Sequence, residues 1–154
     1  MRHYPIYLDL RDQPVLVAGA GKVALRKTQG LLDAGARVTV VAPHCDEAFE
    51  TLSVHLVRRP FRVSDLTGQA LAFAATDDRR TNHRIAVAAK ARGIFANIAD
   101  SAAECAFLVP ARLEKDGVQI AVSTGGVNPR LAANLRRKLE SILRPWRHLG
   151  VVPK

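Results

Sequence analysis

The feature that most constrains the fold of this chain is a glycine-containing turn, Gly19-Ala20-Gly21-Lys22-Val23-Ala24, between an apolar strand and a helix. The apolar run Val15–Ala18 before the turn predicts a short buried strand. Residues 22–34 after the turn carry apolar side chains at helical spacing, and Gly35 stands where a glycine commonly ends a helix. A strand, a tight glycine turn and a helix in this order are typical of the first unit of a parallel sheet.

The residues of this turn also indicate a ligand. Gly19 permits the tight turn, Gly21 lets the backbone approach a pyrophosphate, and Ala24 is small enough for the helix to pack closely against the strand. The N–H groups at the start of the helix, together with its dipole, attract phosphate groups. We therefore expect a dinucleotide at this turn, and the alternative is a tight turn that binds no ligand.

The remaining sequence alternates apolar strand-like runs with helical segments. Continuous apolar strands separated by helices predict a parallel sheet covered on both faces, in an α/β, Rossmann-like doubly wound fold. We expect residues 1–110 to form the Rossmann domain and residues 111–154 a β-hairpin-plus-helix extension. The predicted strands are 37–42, 54–57, 70–76, 94–98 and the hairpin pair 107–110 with 118–122, and the predicted helices are 47–52, 81–92 and 128–143, the last ended by Pro145.

Composition and charge restrict the classes of partner. The 154 residues are 48% apolar, enough for a folded core, and the formal net charge of +9 attracts anions. Only 5% of the residues are aromatic and the basic residues form no block, so we expect no nucleic-acid partner. The absence of a long apolar run and of a signal-peptide pattern leads us to expect no membrane association and a cytoplasmic location. Cys45 and Cys105 lie far apart and His3, His83 and His148 do not cluster, so we expect neither a disulfide nor a metal site.

The end of the second predicted strand lacks the carboxylate that commonly binds the adenosine ribose of a dinucleotide. The strand ends at Pro43-His44, and Asp46 and Glu47 follow slightly later. His44 is compatible with contact to a ribose or to a 2′-phosphate, and equally with a solvated position. These residues therefore leave the choice between NAD and NADP as the cofactor open.

Polar residues follow two further strands at the edge where ligands of doubly wound sheets bind. Thr76 is expected to line the cofactor crevice, whereas Asp77 and Asp78 are candidates for turn and cap residues, Asp78 above all for the N-cap of the next helix. Asn97 and Asp100 follow the fifth strand and are expected to point into the crevice. A carboxylate that faces a nicotinamide can accept a proton while hydride leaves carbon, which makes Asp100 the candidate catalytic residue. The alternative for Asp100 is a turn or cap role.

A last motif, Ser123-Thr124-Gly125-Gly126, stands shortly before the final helix. Glycines beside hydroxyl residues at the start of a helix favour the binding of an anion. Asn128 is a good N-cap and Pro129 suits the first helical position. The alternative is a flexible loop followed by a solvated basic helix.

Taken together, these segments resemble the precorrin-2 dehydrogenase and sirohydrochlorin ferrochelatase family, which forms the N-terminal module of siroheme synthases. No single segment is specific to that family, but the ordered set is. The segments that carry the resemblance are Tyr4–Leu10, the glycine turn with Val23–Lys27, Ala34–Pro43, Ala74–Asp78 with Asn82, Asn97–Asp100, Phe107–Pro110, and Ser123–Gly126 with Pro129 and Leu131-Ala132.

The resemblance implies NAD-dependent oxidation of precorrin-2 to sirohydrochlorin, on the way to sirohaem, by a homodimer assembled through the part after the Rossmann domain. It implies that Asp100 is the essential aspartate and that Lys22-Val23 and Pro43-His44 contact the dinucleotide. Precorrin-2 carries many carboxylates, which a basic protein attracts, so Asn97 and the Ser123–Gly126 loop are the candidate substrate contacts. Some members insert Fe²⁺ into sirohydrochlorin, so Fe²⁺ is expected only as a substrate.

The family usually continues with a small helical module, which we expect to be absent from this chain after residues 145–148. That departure weakens the expectation of iron insertion more than that of dehydrogenation. Two alternatives stay open. One is a dinucleotide-sensing regulatory module, which would require neither Asp100 nor the Ser123–Gly126 loop. The other is a tetrapyrrole chelatase or carrier without dehydrogenase activity.

Overall fold

Five parallel strands form the sheet of the first of two units, Pro5–Phe107. The computed structural model describes residues 3–143, of which residues 3–4 and 108–143 belong to the second unit. The predicted helix end at Pro145, His148 and the chain beyond the helix lie outside the described residues. The strands are β1 (Pro14–Ala18), β2 (Arg37–Val41), β3 (His55–Val57), β4 (Leu71–Ala74) and β5 (Phe95–Ile98), in the sheet order β3-β2-β1-β4-β5.

Helices connect these strands on both faces of the sheet. Helix α1 (Lys22–Asp33) follows β1 and α2 (Arg79–Lys90) follows β4. The predicted crossover helix at 47–52 is a short 3-10 helix, Glu47–Thr51, and a second one, Val63–Leu66, precedes β4. Because β1 pairs with β2 on one side and with β4 on the other, the winding direction reverses beside β1. The fold is therefore the predicted doubly wound, Rossmann-like sheet, whose ligand crevice lies at the carboxyl ends of β1 and β4.

The core of this unit consists of two apolar layers, one on each face of the sheet. Successive residues of a strand point to opposite faces. In β1, Val15 and Val17 accordingly pack in the layer that contains α1 residues, and Leu16 and Ala18 in the layer that contains α2 residues. The burial of both faces explains why these strands are continuous apolar runs in the sequence.

The end of α1 and the start of α2 are formed by the residues that the sequence predicts for these positions. Gly35 lies just beyond α1 with φ of 77°, and its N–H donates to a carbonyl in the last turn of α1 at 2.9 Å, as expected of a helix-terminating glycine. Asp78 is the N-cap of α2, because its carboxylate accepts hydrogen bonds from the N–H groups of Arg80 and Thr81, both at 3.1 Å. Helix α2 therefore begins at Arg79, two residues earlier than predicted.

The second unit contains an antiparallel hairpin. Strand β6 (Ala111–Lys115) pairs with β7 (Val118–Val122) around a two-residue turn, Asp116-Gly117. Both turn residues have positive φ, 51° and 78°, which is the turn geometry whose twist matches the twist of paired strands.

The prediction that the first hairpin strand covers 107–110 is wrong, because the strand begins only after Pro110. In β6, Arg112 and Glu114 are exposed while Leu113 between them is half-buried. A strand with one solvated face alternates polar and apolar residues and is not a continuous apolar run.

Helix α3 (Pro129–Leu143) packs against this hairpin. The side-chain oxygen of Asn128 accepts a hydrogen bond from the N–H of Leu131 at 2.9 Å, so Asn128 is the N-cap and Pro129 the first helical residue, as predicted. Within residues 3–143, no helix combines the length and the apolar character that a membrane span requires. Large apolar residues that stay exposed on α3 or just before it are Val127, Leu131, Leu135 and Ile142.

Candidate functional site

The turn between β1 and α1 touches the loop that follows β4. Gly19 has φ of 102°, and its N–H donates to the carbonyl of Val41 at 2.9 Å. A Cβ on Gly19 would lie 2.3 Å from the carbonyl oxygen of Ala75, closer than real Cβ contacts. Ala75 in turn donates its N–H to the carbonyl of Ala18 at 2.8 Å. A glycine is thus required at position 19 both by the backbone conformation and by the close approach of the two loops.

The N-terminus of α1 is open. Gly21 is its N-cap with an extended backbone, no side chain caps the helix, and its first turn contains no acidic residue. A Cβ on Gly21 would meet no atom within 4 Å, and Lys22 and Val23 are exposed. Helix α2, by contrast, carries the Asp78 carboxylate on its first N–H groups. Of these two helix N-termini, α1 therefore offers its N–H groups and positive dipole end to an anion, and its geometry fits a pyrophosphate.

The residues that follow β2 lie at the same edge of the sheet. Pro43 and His44 are exposed there. Asp46, the first carboxylate after β2, caps the short helix Glu47–Thr51 by accepting a hydrogen bond from the N–H of Ala48 at 3.0 Å. Its carboxylate is thus engaged with a backbone N–H of its own segment.

Thr76 lies beyond β4, and its polar groups are paired with Asn82 of α2. The side-chain oxygen of Asn82 accepts from the N–H of Thr76 at 3.2 Å and from its hydroxyl at 2.7 Å, and the Asn82 amide donates to the Thr76 carbonyl at 3.0 Å. Asn82 is fully buried. The pair therefore holds the backbone of the loop that touches Gly19.

Asn97 points into the unit. Its side-chain oxygen accepts a hydrogen bond from Nζ of Lys27 at 2.7 Å, and its amide donates to the carbonyl of Phe107 at 3.0 Å. The residue is 5% exposed, and burial lowers the pKa of Lys27. Asn97 pairs in register with Phe73, whose side chain packs on the α1 face of the sheet. Its polar ends are thus paired inside the unit, which corrects the expectation that this side chain points into the crevice.

Asp100 lies two residues beyond β5 and is exposed at the carboxyl edge. Its Oδ1 accepts from Nη1 of Arg79 at 3.4 Å, and Nη2 of Arg79 pairs with Glu104. His83 Nδ1 lies 3.2 Å from the same Glu104 oxygen. The hydrogen bond from Arg79, followed by that from His83, holds the pKa of Glu104 below its ordinary value. Asp100 therefore belongs to a charged cluster between the first turns of α2 and the short helix Ala102–Glu104.

The Ser123–Gly126 loop belongs to the second unit, between β7 and α3. The hydroxyl oxygen of Ser123 accepts from the N–H of Gly125, and that of Thr124 accepts from the N–H of Asn128, each at 3.1 Å. A hydroxyl whose oxygen accepts a hydrogen bond can still donate its proton, so the loop is compatible with the predicted anion site. In the part of the chain that is described, no group of three or more His, Cys, Asp or Glu side chains could hold a metal ion.

The doubly wound sheet, the glycine turn and the open α1 N-terminus define a Rossmann-like domain of the dinucleotide-binding class. Residues 6–111 match the family model described as "Putative NAD(P)-binding", and the chain belongs to that family. Residues 115–142 match a second model, described as "Sirohaem biosynthesis protein central".

Known relatives include the siroheme synthases of Escherichia coli (strain K12 / DH10B) and Shigella boydii serotype 18. Each is 45% identical over 158 aligned residues, which cover 100% of this chain and 34% of the relative. The chain thus spans about a third of the length of these relatives. The solved structure of SirC, precorrin-2 dehydrogenase, is 28% identical, with a TM-score of 0.78 over 91% of this chain and 71% of that chain. These matches confirm the family resemblance predicted from the sequence.

Several contacts of the site residues are not evident from the sequence pattern. Asp100 and Arg79 are separated by 21 positions, and Asn97 and Lys27 by 70. The sequence does indicate that Arg79 lies near Asp100, since a helix that follows a parallel strand begins at the carboxyl edge of the sheet, where Asp100 was expected. No comparable signal identifies Lys27, because the pairing depends on which face of β5 packs on α1.

Proposed function

We propose that this protein oxidises precorrin-2 to sirohydrochlorin with NAD as the hydride acceptor, a step of siroheme biosynthesis. The observation that carries the proposal is the common position of Gly21 and Asp100 at the carboxyl edge of one parallel sheet. Strand β4 alone separates β1 from β5, so the two strands are about 10 Å apart. A dinucleotide bound at Gly21 would therefore have a carboxylate within reach of its reactive end. The names of the siroheme synthases and of SirC support precorrin-2 as the substrate.

The dinucleotide would be held by residues from three neighbouring loops. Gly19 and Gly21 keep the turn close and free of side chains, and the N–H groups at Lys22-Val23 would bind the pyrophosphate. Pro43-His44 would contact the adenosine ribose, and Thr76 would line the crevice. When bound, NAD supplies the acceptor for a hydride. We propose NAD in preference to NADP on the basis of the family resemblance.

Asp100 would take the proton that leaves with the hydride. Removal of two hydrogens from the substrate releases one hydride and one proton, and a carboxylate near the reacting carbon can accept that proton. The exposure of Asp100 lets it return the proton to solvent. The net charge of +9 favours the approach of a substrate that carries many carboxylates.

The second unit would bind a substrate carboxylate through Ser123–Gly126 and would mediate dimerisation. Three exposed apolar residues of α3 support a partner surface, because their spacing places them on one side of the helix and an exposed apolar patch commonly marks an interaction site: Leu131, Leu135 and Ile142. The division into a Rossmann domain and a dimerisation extension, the homodimer itself and a cytoplasmic location are part of this proposal and rest on the family resemblance.

The test is NADH formation from precorrin-2 and NAD⁺ by the wild type, Asp100→Asn and Asp77→Asn. Asp77 is an exposed carboxylate just beyond β4, so its substitution removes a similar charge near the same edge. We expect Asp100→Asn to reduce turnover by about 10²-fold or more with NAD⁺ binding retained, and Asp77→Asn to stay close to the wild type. Sirohydrochlorin that acquires metal without any NADH from the wild type would contradict the dehydrogenase assignment. Unchanged turnover in Asp100→Asn would contradict the role of Asp100.

A further inference from the structure

We infer that Arg79 is a positioning residue for Asp100 and that Glu104 holds Arg79 in place. Arg79 is the first residue of α2, immediately after the Asp78 cap. Its guanidinium reaches two carboxylates that belong to the chain after β5, Asp100 through Nη1 and Glu104 through Nη2. The inference rests on the proposed function, because Arg79 has a positioning role only if Asp100 is the catalytic carboxylate.

The two contacts of Arg79 are unequal. The distance from Nη1 to Oδ1 of Asp100 is 3.4 Å, which is long for a hydrogen bond, whereas the contact with Glu104 is close. Arg79 is therefore tied chiefly to Glu104 and restrains Asp100 more weakly, through one carboxylate oxygen. A planar guanidinium held in this way restricts the orientation of the carboxylate that it contacts, which a flexible ammonium does less well.

Glu104 is held by two residues of α2. Arg79 and His83 are one helical turn apart on α2, and both contact Oε1 of Glu104. Of these groups Glu104 is the least exposed, with 26% of its side chain accessible against 47% for Arg79 and 37% for Asp100. The partly buried carboxylate of Glu104 thus restrains the Arg79 guanidinium, and Arg79 in turn restrains the more exposed Asp100.

A positioned carboxylate accepts a proton better than one that samples many rotamers, because misplacement of a reacting group slows the chemical step. Loss of Arg79 should therefore lower kcat and leave the KM for precorrin-2 and the affinity for NAD⁺ unchanged. Loss of Glu104 should act in the same direction through Arg79, with a smaller effect, since Arg79 keeps its contact with Asp100.

The experiment compares Arg79→Gln, Arg79→Lys and Glu104→Gln with Arg80→Gln, which removes one positive charge from the neighbouring exposed residue of α2. We expect Arg79→Gln to lower kcat about tenfold and Arg79→Lys to recover part of that loss. Arg80→Gln should stay within about twofold, the range of surface substitutions. The Arg79→Gln/Glu104→Gln double variant should be no slower than Arg79→Gln alone, because both residues act through one contact.

Three results would overturn the inference: equal kcat in Arg79→Gln and Arg80→Gln, a rise of KM alone, or additive losses in the double variant. If Asp100→Asn abolishes turnover while Arg79→Gln matches Arg80→Gln, the inference fails and the proposed function stands. If the wild type forms no NADH, the proposed function fails, and crystal structures of the wild type and Arg79→Gln still test the positioning. An Asp100 carboxylate in the same place in both structures would refute it.

Discussion

Gly19→Ala tests whether the β1–α1 turn is closed by the close approach of two backbones. The added Cβ would occupy a position 2.3 Å from the Ala75 carbonyl oxygen and 2.6 Å from its carbonyl carbon. These are backbone atoms of a loop that Asn82 holds through three hydrogen bonds to Thr76, so a rotamer change cannot relieve the clash. Alanine would also have to adopt φ of 102°.

The expected cost combines two terms. A non-glycine residue in a sparsely populated backbone region costs about 1–3 kcal/mol. Forcing extra volume into a packed site costs about 1–3 kcal/mol. The sum centres on about 4 kcal/mol, a large part of the stability of an ordinary domain. For a chain of this size it corresponds to a decrease in Tm of about 12 °C.

The assay is urea and thermal unfolding of the wild type, Gly19→Ala and Gly21→Ala. Gly21 provides the matched control, because its Cβ would meet nothing within 4 Å and its φ is −89°. Gly21→Ala should change the free energy of unfolding by less than about 1 kcal/mol. It should nevertheless weaken NAD⁺ binding by about tenfold or more, since the Cβ would occupy the space proposed for the pyrophosphate. A Gly19→Ala protein within about 1 kcal/mol of the wild type, or an equally destabilised Gly21→Ala, would refute the reasoning.

Two further predictions concern the stability of the first unit. Asn82→Ala should lower the free energy of unfolding by about 2–4 kcal/mol, because it leaves the N–H and carbonyl of Thr76 unpaired beside a cavity. Chemical denaturation measures this loss, and a loss below about 1 kcal/mol would contradict the prediction. Asp65, whose carboxylate receives two hydrogen bonds from Arg59, has its pKa lowered by that contact. Its contribution to stability should therefore be complete above a pH of about 4 and be lost as the pH falls below that value. The difference in unfolding free energy between the wild type and Asp65→Asn should shrink in that acidic range, and a difference that is constant from neutral pH to pH of about 2 would contradict the pairing.

The α/β class and the doubly wound sheet are determined by local sequence. Apolar runs such as those of β1 and β2 are buried on both faces, and Gly35, Asp78 and Asn128 act at helix ends through their own backbone or side-chain chemistry. These effects depend on residues a few positions apart, which is why the sequence alone predicts them. The sequence predicts strand β6 poorly, since a strand with one solvated face has no continuous apolar run that distinguishes it from the flanking residues.

The location of most candidate site residues was likewise predictable, because the ends of parallel strands meet at one edge whatever their separation in sequence. Gly19, Gly21, Thr76 and Asp100 do lie at that edge. What each side chain contacts was decided by tertiary structure alone. Asn97 turns inward to Lys27 because its strand position points to the α1 face, and Asp100 meets Arg79 because α2 begins beside β5. Such pairings depend on the packing of helices on the sheet, and no local sequence pattern encodes that packing.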